Sequence, residues 1–203
     1  MGKMKKSYSS FTYQDLHDLG LEITEEPLFQ DVTIKPVPPS RLLLEILDMN
    51  KDVPTATEKA KSELIISPIL SDLRQRHPNK LTVFSGYQFS VEPKLGLQGF
   101  CDFILTKAPK TPYISNPILA IVEAKNEAIE SQTPQCIAET YAASLFNERH
   151  KTPHSEITYG TITTAFDWLF IKIEGKKVVI DNKRYFISDM PQLLGVLDYI
   201  VCR

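Results

Sequence analysis

Ile118-Leu119-Ala120-Ile121-Val122-Glu123-Ala124-Lys125 is an unbroken apolar run that ends in two charges. A run this short and this uniformly apolar reads as a β-strand covered on both faces, as in a sheet held between helices. Glu123 and Lys125 are two apart, so strand geometry sends both to one face while Ala124 points away. Just upstream, Phe100-Cys101-Asp102-Phe103-Ile104-Leu105 has the same character, with Asp102 as its lone charge. Between the two lies Lys107 to Pro117, whose three prolines mark a loop. If the strands pair across that loop, Asp102, Glu123 and Lys125 converge at one end of a sheet. Carboxylates that converge out of water repel each other and require a cation between them.

Working outward, Leu81 to Glu92 alternates, with Tyr87, Phe89 and Val91 on one face and Gln88, Ser90 and Glu92 on the other. Gly86 reads as a bulge in that strand. Thr55 and Glu58 stand at capping-box spacing and open a helix to about Arg76, with Ala60, Leu64, Ser67 and Leu70 on one side and a kink at Pro68. Glu63 borders this stripe. Ser131 to Asn147 reads as a helix with Ile137, Ala138, Tyr141, Ala142 and Leu145 inward. Ile157 to Thr164 and Trp168 to Ile173 are strands, and Phe166, Trp168 and Phe170 alternate as one packed face. Glu174-Gly175-Lys176 turns the chain into Lys177 to Ile180 as a hairpin. Pro191 to Val201 is a closing helix capped by Ser188 or Asp189. Helix, three strands, helix and further strands make an α/β chain with a mixed sheet flanked by helices.

The first fifty residues are read separately, as an N-terminal arm and short helices, with 51–203 as the main domain. Met1 to Ser10 is a basic arm without the apolar stretch of a signal peptide. Thr12 and Asp15 cap a short helix that Gly20 ends, residues 21–40 form a proline-rich extended connector, and Ser40 caps a second helix through Leu47. The 203 residues are 42% hydrophobic and carry 23 Lys+Arg against 25 Asp+Glu, a formal charge of −2. That supports one folded domain and excludes a passive DNA-coating protein, which is strongly basic. It leaves room for an enzyme that holds nucleic acid locally. Cys101, Cys136 and Cys202 form no CxxC pair and read as reduced core residues of a cytoplasmic protein, an expectation that covers all three. His17, His77, His150 and His154 have no ligand spacing and no cysteine partner, so no zinc site is expected.

An acid, any residue and then lysine occurs four times, at Glu92, Glu123, Glu174 and Asp181. Composition alone yields roughly two such matches, so the tripeptide by itself decides nothing. The Glu174 and Asp181 copies fall at hairpin turns, where solvated charge is ordinary, and the Glu92 copy ends at a proline. Only Glu123-Ala124-Lys125 closes a buried strand that follows another acid-bearing strand.

Glu63 on a helix, then Gly99-Phe100-Cys101-Asp102, then Ile121-Val122-Glu123-Ala124-Lys125, then a helix with Gln135, resembles the PD-(D/E)XK nuclease superfamily. The likeness spans roughly Thr55 to Ile173. From Ser62 through Glu123-Ala124-Lys125-Asn126-Glu127 to Gln135-Cys136-Ile137-Ala138-Glu139 the chain also resembles an uncharacterised bacterial group within that superfamily. Cys101 stands where the family pattern has proline. The resemblance implies a restriction-endonuclease-like fold and a nuclease, with Asp102 and Glu123 as metal ligands, Lys125 as the catalytic lysine, and Glu63 as a supporting ligand or water holder. Gln135 matches a helix glutamine of some subgroups, and Glu139, one turn on, is placed to face the same site. Implied with it are Mg²⁺, with Mn²⁺ as a substitute, a nucleic-acid partner, DNA before RNA, and a homodimer or larger assembly. Lys59, Lys61, Arg74, Arg76, Lys107 and Lys110 flank the site in sequence as phosphate contacts. The alternative readings are a non-catalytic nucleic-acid-binding or scaffold protein on the same fold, and a metal-assisted hydrolase of a small phosphorylated molecule.

Overall fold

The computed structural model describes residues 6–108, 110–126, 129–151 and 156–203. Lys3 and Lys5 of the basic arm, Glu127 of the matched run and His154 lie outside the described residues. Seven strands form one sheet: β1 (Glu22–Glu26), β2 (Thr82–Glu92), β3 (Leu97–Thr106), β4 (Ile118–Ala124), β5 (Ile157–Thr163), β6 (Asp167–Glu174) and β7 (Lys177–Phe186). Their order is β1-β7-β6-β5-β4-β3-β2. β4 pairs parallel with β5 and β1 with β7, and the remaining pairs are antiparallel. The helices are α1 (Tyr13–Asp18), α2 (Arg41–Asn50), α3 (Glu58–Lys61), α4 (Ser67–Arg76), α5 (Ile129–His150) and α6 (Met190–Cys202). The chain is therefore a single α/β domain with a mixed sheet between helical layers.

Two cores result, one on each face of the sheet. Ile66 just before α4, Ile69, Leu70 and Leu73 of α4, and Leu193, Leu194 and Leu197 of α6 pack on Phe103, Val122, Trp168 and Phe170. On the other face Cys136, Ile137, Ala138 and Ala142 of α5 pack on Ile104, Ile121, Ile162 and Ile171, with Tyr8, Phe11 and Leu16 closing the edge. β4 lies at the middle of this arrangement, and its uniformly apolar sequence follows from burial on both sides. Its far end is pinned by Asn147 of α5, which accepts from the Ile118 N–H at 2.7 Å and donates to the Ile118 carbonyl at 2.8 Å. α5 lies so close to β5 that a Cβ on Gly160 would fall 2.2 Å from the Thr140 hydroxyl oxygen.

Several local expectations need correction. Residues 22–26 are not mere connector: they form the edge strand β1, and Tyr8, Leu21, Phe29 and Leu43 of the first fifty residues are buried in the two cores. The Thr12–Asp15 box and the Ser40 cap are present, but α3 is capped by Thr57, whose hydroxyl accepts from Ala60 N–H, and not by Thr55. Gly86 takes a φ of +61° without shifting the register, which slips instead between Ser90 and Glu92. Phe166 lies in the turn before β6 and is half-exposed, while Trp168 and Phe170 are fully buried. Asp181 is no turn residue. It sits buried within β7, where it accepts from the Leu28 and Lys183 N–H groups and the Tyr185 hydroxyl.

The irregularity at Pro68 takes the form of a π turn, Ser62–Ile66, between α3 and α4. Proline cannot donate to the carbonyl four residues back, Leu64. Asn50 of α2 donates its side-chain amide to that carbonyl at 3.0 Å instead. The wide turn takes in one additional residue and moves the buried stripe onto Ile65, Ile66, Ile69, Leu70 and Leu73, away from Ala60, Leu64 and Ser67. Asn50→Ala leaves the carbonyl without this donor. The expected loss is about 1 kcal/mol, a fall in Tm of about 2–4 °C by thermal circular dichroism.

All three cysteines are free thiols; Cys101 and Cys136 are buried as expected, but Cys202 is not a core residue, because it ends α6 on the exposed side. Burial first, and the charge of Glu139 second, push the Cys101 and Cys136 thiols far above their ordinary range. Ellman's reagent should therefore titrate one thiol in the native protein and all three in guanidinium. Rapid native reaction of more than one would contradict this packing. Among the described residues no helix is long and apolar enough to cross a membrane.

Candidate functional site

The carboxyl end of β4 is where the strand alternation fails and charges collect. Along β3, Cys101 and Ile104 both face the α5-side core, while Phe103 and Leu105 face the α4–α6 core, so regular alternation is broken around Asp102. On β2 the position facing Asp102 is Gly86, in the left-handed conformation that glycine adopts without strain. Asp102 then turns toward β4, and its Oδ2 accepts from the Ala124 N–H at 2.8 Å. The next N–H, that of Lys125, donates to the Thr163 carbonyl of β5 at 2.8 Å. Both flanking strands thus hold the end of β4 in place.

From there a polar chain runs under α5. Lys125 Nζ lies 2.8 Å from Glu123 Oε1 and donates to Gln135 Oε1 at 3.2 Å. The Gln135 amide donates to Glu123 Oε1 at 2.5 Å and to Glu139 Oε1 at 2.9 Å. Glu139 is fully buried, and Glu123 and Lys125 are 4% and 9% exposed. One oxygen of each acid, Glu123 Oε2 and Glu139 Oε2, is buried with no hydrogen-bond partner among the described residues. Lys61 of α3, also buried, donates to the carbonyls of Lys125 and Asn126 at 3.3 and 3.0 Å.

Burial chiefly, then the Asp102 charge, pushes the Glu123 carboxyl up to about 7 against the opposing pull of Lys125. Burial and the Glu123 charge raise Glu139 well above the carboxylate range. Asp102 is raised by burial, with the Ala124 N–H and Lys125 working against that. Burial pulls Lys125 down, but the Glu123 charge and hydrogen bond more than offset it, and its pKa is raised. Lys125 is therefore a cation at neutral pH. It can donate hydrogen bonds and offset negative charge, but it cannot take a proton.

Asp102 also lines an open groove whose other wall is one helical face, Glu58, Lys59, Ser62 and Glu63. Glu63 is on the exposed rim and faces Lys59 at 3.8 Å, outside the buried chain. Glu58 is the acid that the sequence reading missed, having been taken only as a capping partner. Its charge bears on both Asp102 and Lys125. The signal that could have found it is spacing, since positions 58, 59, 62 and 63 share one helix face. Of the six basic residues expected to meet phosphate, Lys59 and Lys61 lie beside the site. The others do not: Arg74 and Arg76 end α4, Arg76 being tied to Asp72 and the Pro38 carbonyl. Lys107 and Lys110 follow the opposite end of β3 from Asp102, where Lys107 donates to the Arg203 carbonyl.

A hard cation such as Mg²⁺ takes oxygen ligands. Asp102 and Glu123 offer such oxygens, and Glu123 Oε2 is buried with no donor among the described residues other than a protonated Glu139, so the pair could hold such an ion. One expectation about histidine fails. His77 does have a cysteine near it: His77, Asp198 and Cys202 bring donor atoms within 4.8 Å of one another at the far end of the molecule, around a 2.7 Å His77–Asp198 hydrogen bond. No protein-family model matches the chain, and no curated protein is similar to it in sequence.

Proposed function

We propose that this chain is a metal-dependent nuclease of the PD-(D/E)XK type, hydrolysing phosphodiester bonds of nucleic acid, DNA before RNA. The observation that carries the reading is that Asp102, on the wall of an open groove and bound to the Ala124 N–H, lies close enough to feel the charges of the buried Glu123–Lys125 pair at the end of β4. Two acids and a lysine out of water are a poor way to stabilise a fold, because the desolvation of each charge offsets the attraction between them. They are a good way to hold a divalent cation against a phosphate.

In this mechanism Asp102 and Glu123 would hold Mg²⁺, and Glu58 or Glu63, which line the groove from α3 and the π turn, would hold a further ligand or water. When bound there, the ion supplies Lewis-acid polarisation of the phosphate and a more acidic water. Lys125, fixed by Glu123 and Gln135, donates to the attacking water and offsets charge gathering on the phosphate oxygens. Gln135 sets the orientation of both side chains through its two hydrogen-bonding ends. Lys61 fixes the backbone that carries Lys125.

The test is cleavage of single- and double-stranded DNA and RNA with Mg²⁺, Mn²⁺ or EDTA. Cleavage that needs the metal and stops in EDTA is the expected result, and metal-independent or absent cleavage counts against it. A second reading, a non-catalytic binding or scaffold protein on the same fold, draws on the 2.8 Å contact through which Lys125 already neutralises Glu123. Calorimetric titration with Mn²⁺ separates the two, since a scaffold needs no ion.

A further inference from the structure

Past Asp102 the β2–β3 hairpin leaves the rest of the sheet. β3 pairs with β2 along its whole length but with β4 only over residues 103–106. One face of this free arm is covered: Leu97, Cys101 and Phe89 are buried in the α5-side core, and a Cβ on Gly99 would come within 2.8 Å of the Tyr8 ring. On the opposite face stand Phe100 and its cross-strand partner Gln88, both exposed. Phe100 is 67% exposed and lies two residues from Asp102.

A second phenyl ring stands across β4. Just past Thr163, whose carbonyl holds the Lys125 N–H, Ala165 adopts a φ of +75° although it is not glycine and is fully buried. Such a conformation persists only where its surroundings over-determine it. Here the Thr163 hydroxyl accepts from the Ala165 N–H at 2.8 Å, Trp168 donates its indole N–H to the Ala165 carbonyl at 3.0 Å, and Ile187 N–H donates to the Phe166 carbonyl at 3.0 Å. This braced turn leaves Phe166 48% exposed. β3 and β5 are the two neighbours of β4, so Phe100 and Phe166 come from the chain segments on either side of the strand that carries Glu123 and leads into Lys125.

We propose that Phe100 and Phe166 are stacking platforms for unpaired bases on either side of the reacting phosphate, and that the substrate is single-stranded nucleic acid. The inference rests on the nuclease reading for the position of the phosphate. Neither ring belongs to either core; Phe100 lies two residues from Asp102 of the groove wall, and Phe166 three residues past Thr163, whose carbonyl accepts from the Lys125 N–H. Every base offers a π-face to a phenyl ring, but only an unpaired base can leave its neighbours to use it. Gln88 beside Phe100 adds an amide that can hydrogen-bond a base edge. In a duplex the bases are already stacked on one another.

The experiment is fluorescence anisotropy in Ca²⁺ with fluorescein-labelled oligothymidylate and a duplex of equal length. Wild type should bind the single strand more tightly. Phe100→Ala and Phe166→Ala should each weaken single-strand binding about ten-fold while leaving duplex binding unchanged. Phe100→Trp should keep the affinity, and Tyr113→Ala, an exposed aromatic in the loop before β4, should have no effect. Unchanged affinity in both alanine variants, or equal loss on duplex, overturns the proposal even if the protein cleaves DNA. Phenylalanine-dependent binding without cleavage supports it and removes the nuclease. A wild type that binds neither probe overturns both.

Discussion

Lys125→Met is expected to lower metal-dependent cleavage by about 10²–10³-fold, mostly in kcat, while Mn²⁺ binding by calorimetry persists. The split follows from the geometry. Lys125 Nζ touches Glu123 Oε1 and Gln135 Oε1, so its removal takes away a donor aimed at the reacting groups but none of the oxygens that hold an ion. Asp102→Asn and Glu123→Gln should do the reverse, losing Mn²⁺ binding and activity together. Methionine is preferred to alanine because Lys125 is buried, and a cavity would mix packing loss into the kinetics. Removing the lysine also deprives the buried Glu123 of its counter-charge, which pushes that carboxyl further up, so the loss should be partly recovered at higher pH as Glu123 ionises. If the group is only a structural ion pair, Lys125→Met should change Tm and leave any cleavage in proportion to folded protein. Equal cleavage by wild type and Lys125→Met at matched folded concentration would remove the lysine from the mechanism.

What made this centre legible in sequence was the contrast between apolar strands and the few charges inside them. Asp102, Glu123 and Lys125 stand out because a strand buried on both faces has no ordinary use for them, and the alternation rule alone places the last two together. Gln135 and Glu139 were legible as an i,i+4 pair on α5, but not that they would be buried: helix periodicity fails when a helix is covered nearly all round, as α5 is from Thr133 to Ser144. Glu58 and Glu63 were harder. Glu58 precedes, and Glu63 lies within, a π turn that no propensity predicts, because it depends on Asn50 of another helix satisfying the Leu64 carbonyl. Asp181 was misread for a related reason, since its partners Leu28 and Tyr185 come from separate parts of the chain.

Glu139→Gln is expected to stabilise the protein at neutral pH, seen as a higher Tm, and to leave stability unchanged near pH 4. In the native state burial and the Glu123 charge hold the Glu139 carboxyl well above its ordinary value of 4.5, whereas in the unfolded chain it ionises at that value. Above pH 4.5 the unfolded state therefore binds fewer protons than the native state, and wild-type stability falls as pH rises through this window. Glutamine has no proton to lose, so the advantage of the variant starts near pH 4.5 and widens toward neutrality. It also preserves the shape and the acceptor for the Gln135 amide, at 2.9 Å in the wild type. The opposite pattern, destabilisation that is largest at pH 7, would mean that Glu139 is ionised and valuable to Lys125. A stabilising substitution in the centre of a folded domain is informative for function as well. A fully buried acid that weakens the fold at working pH is maintained for some purpose other than folding, and its contact with Gln135, which also holds Glu123 and Lys125, ties that purpose to the end of β4. Glu139→Gln should accordingly shift the pH profile of cleavage while Tm rises, a combination that a purely structural residue does not produce.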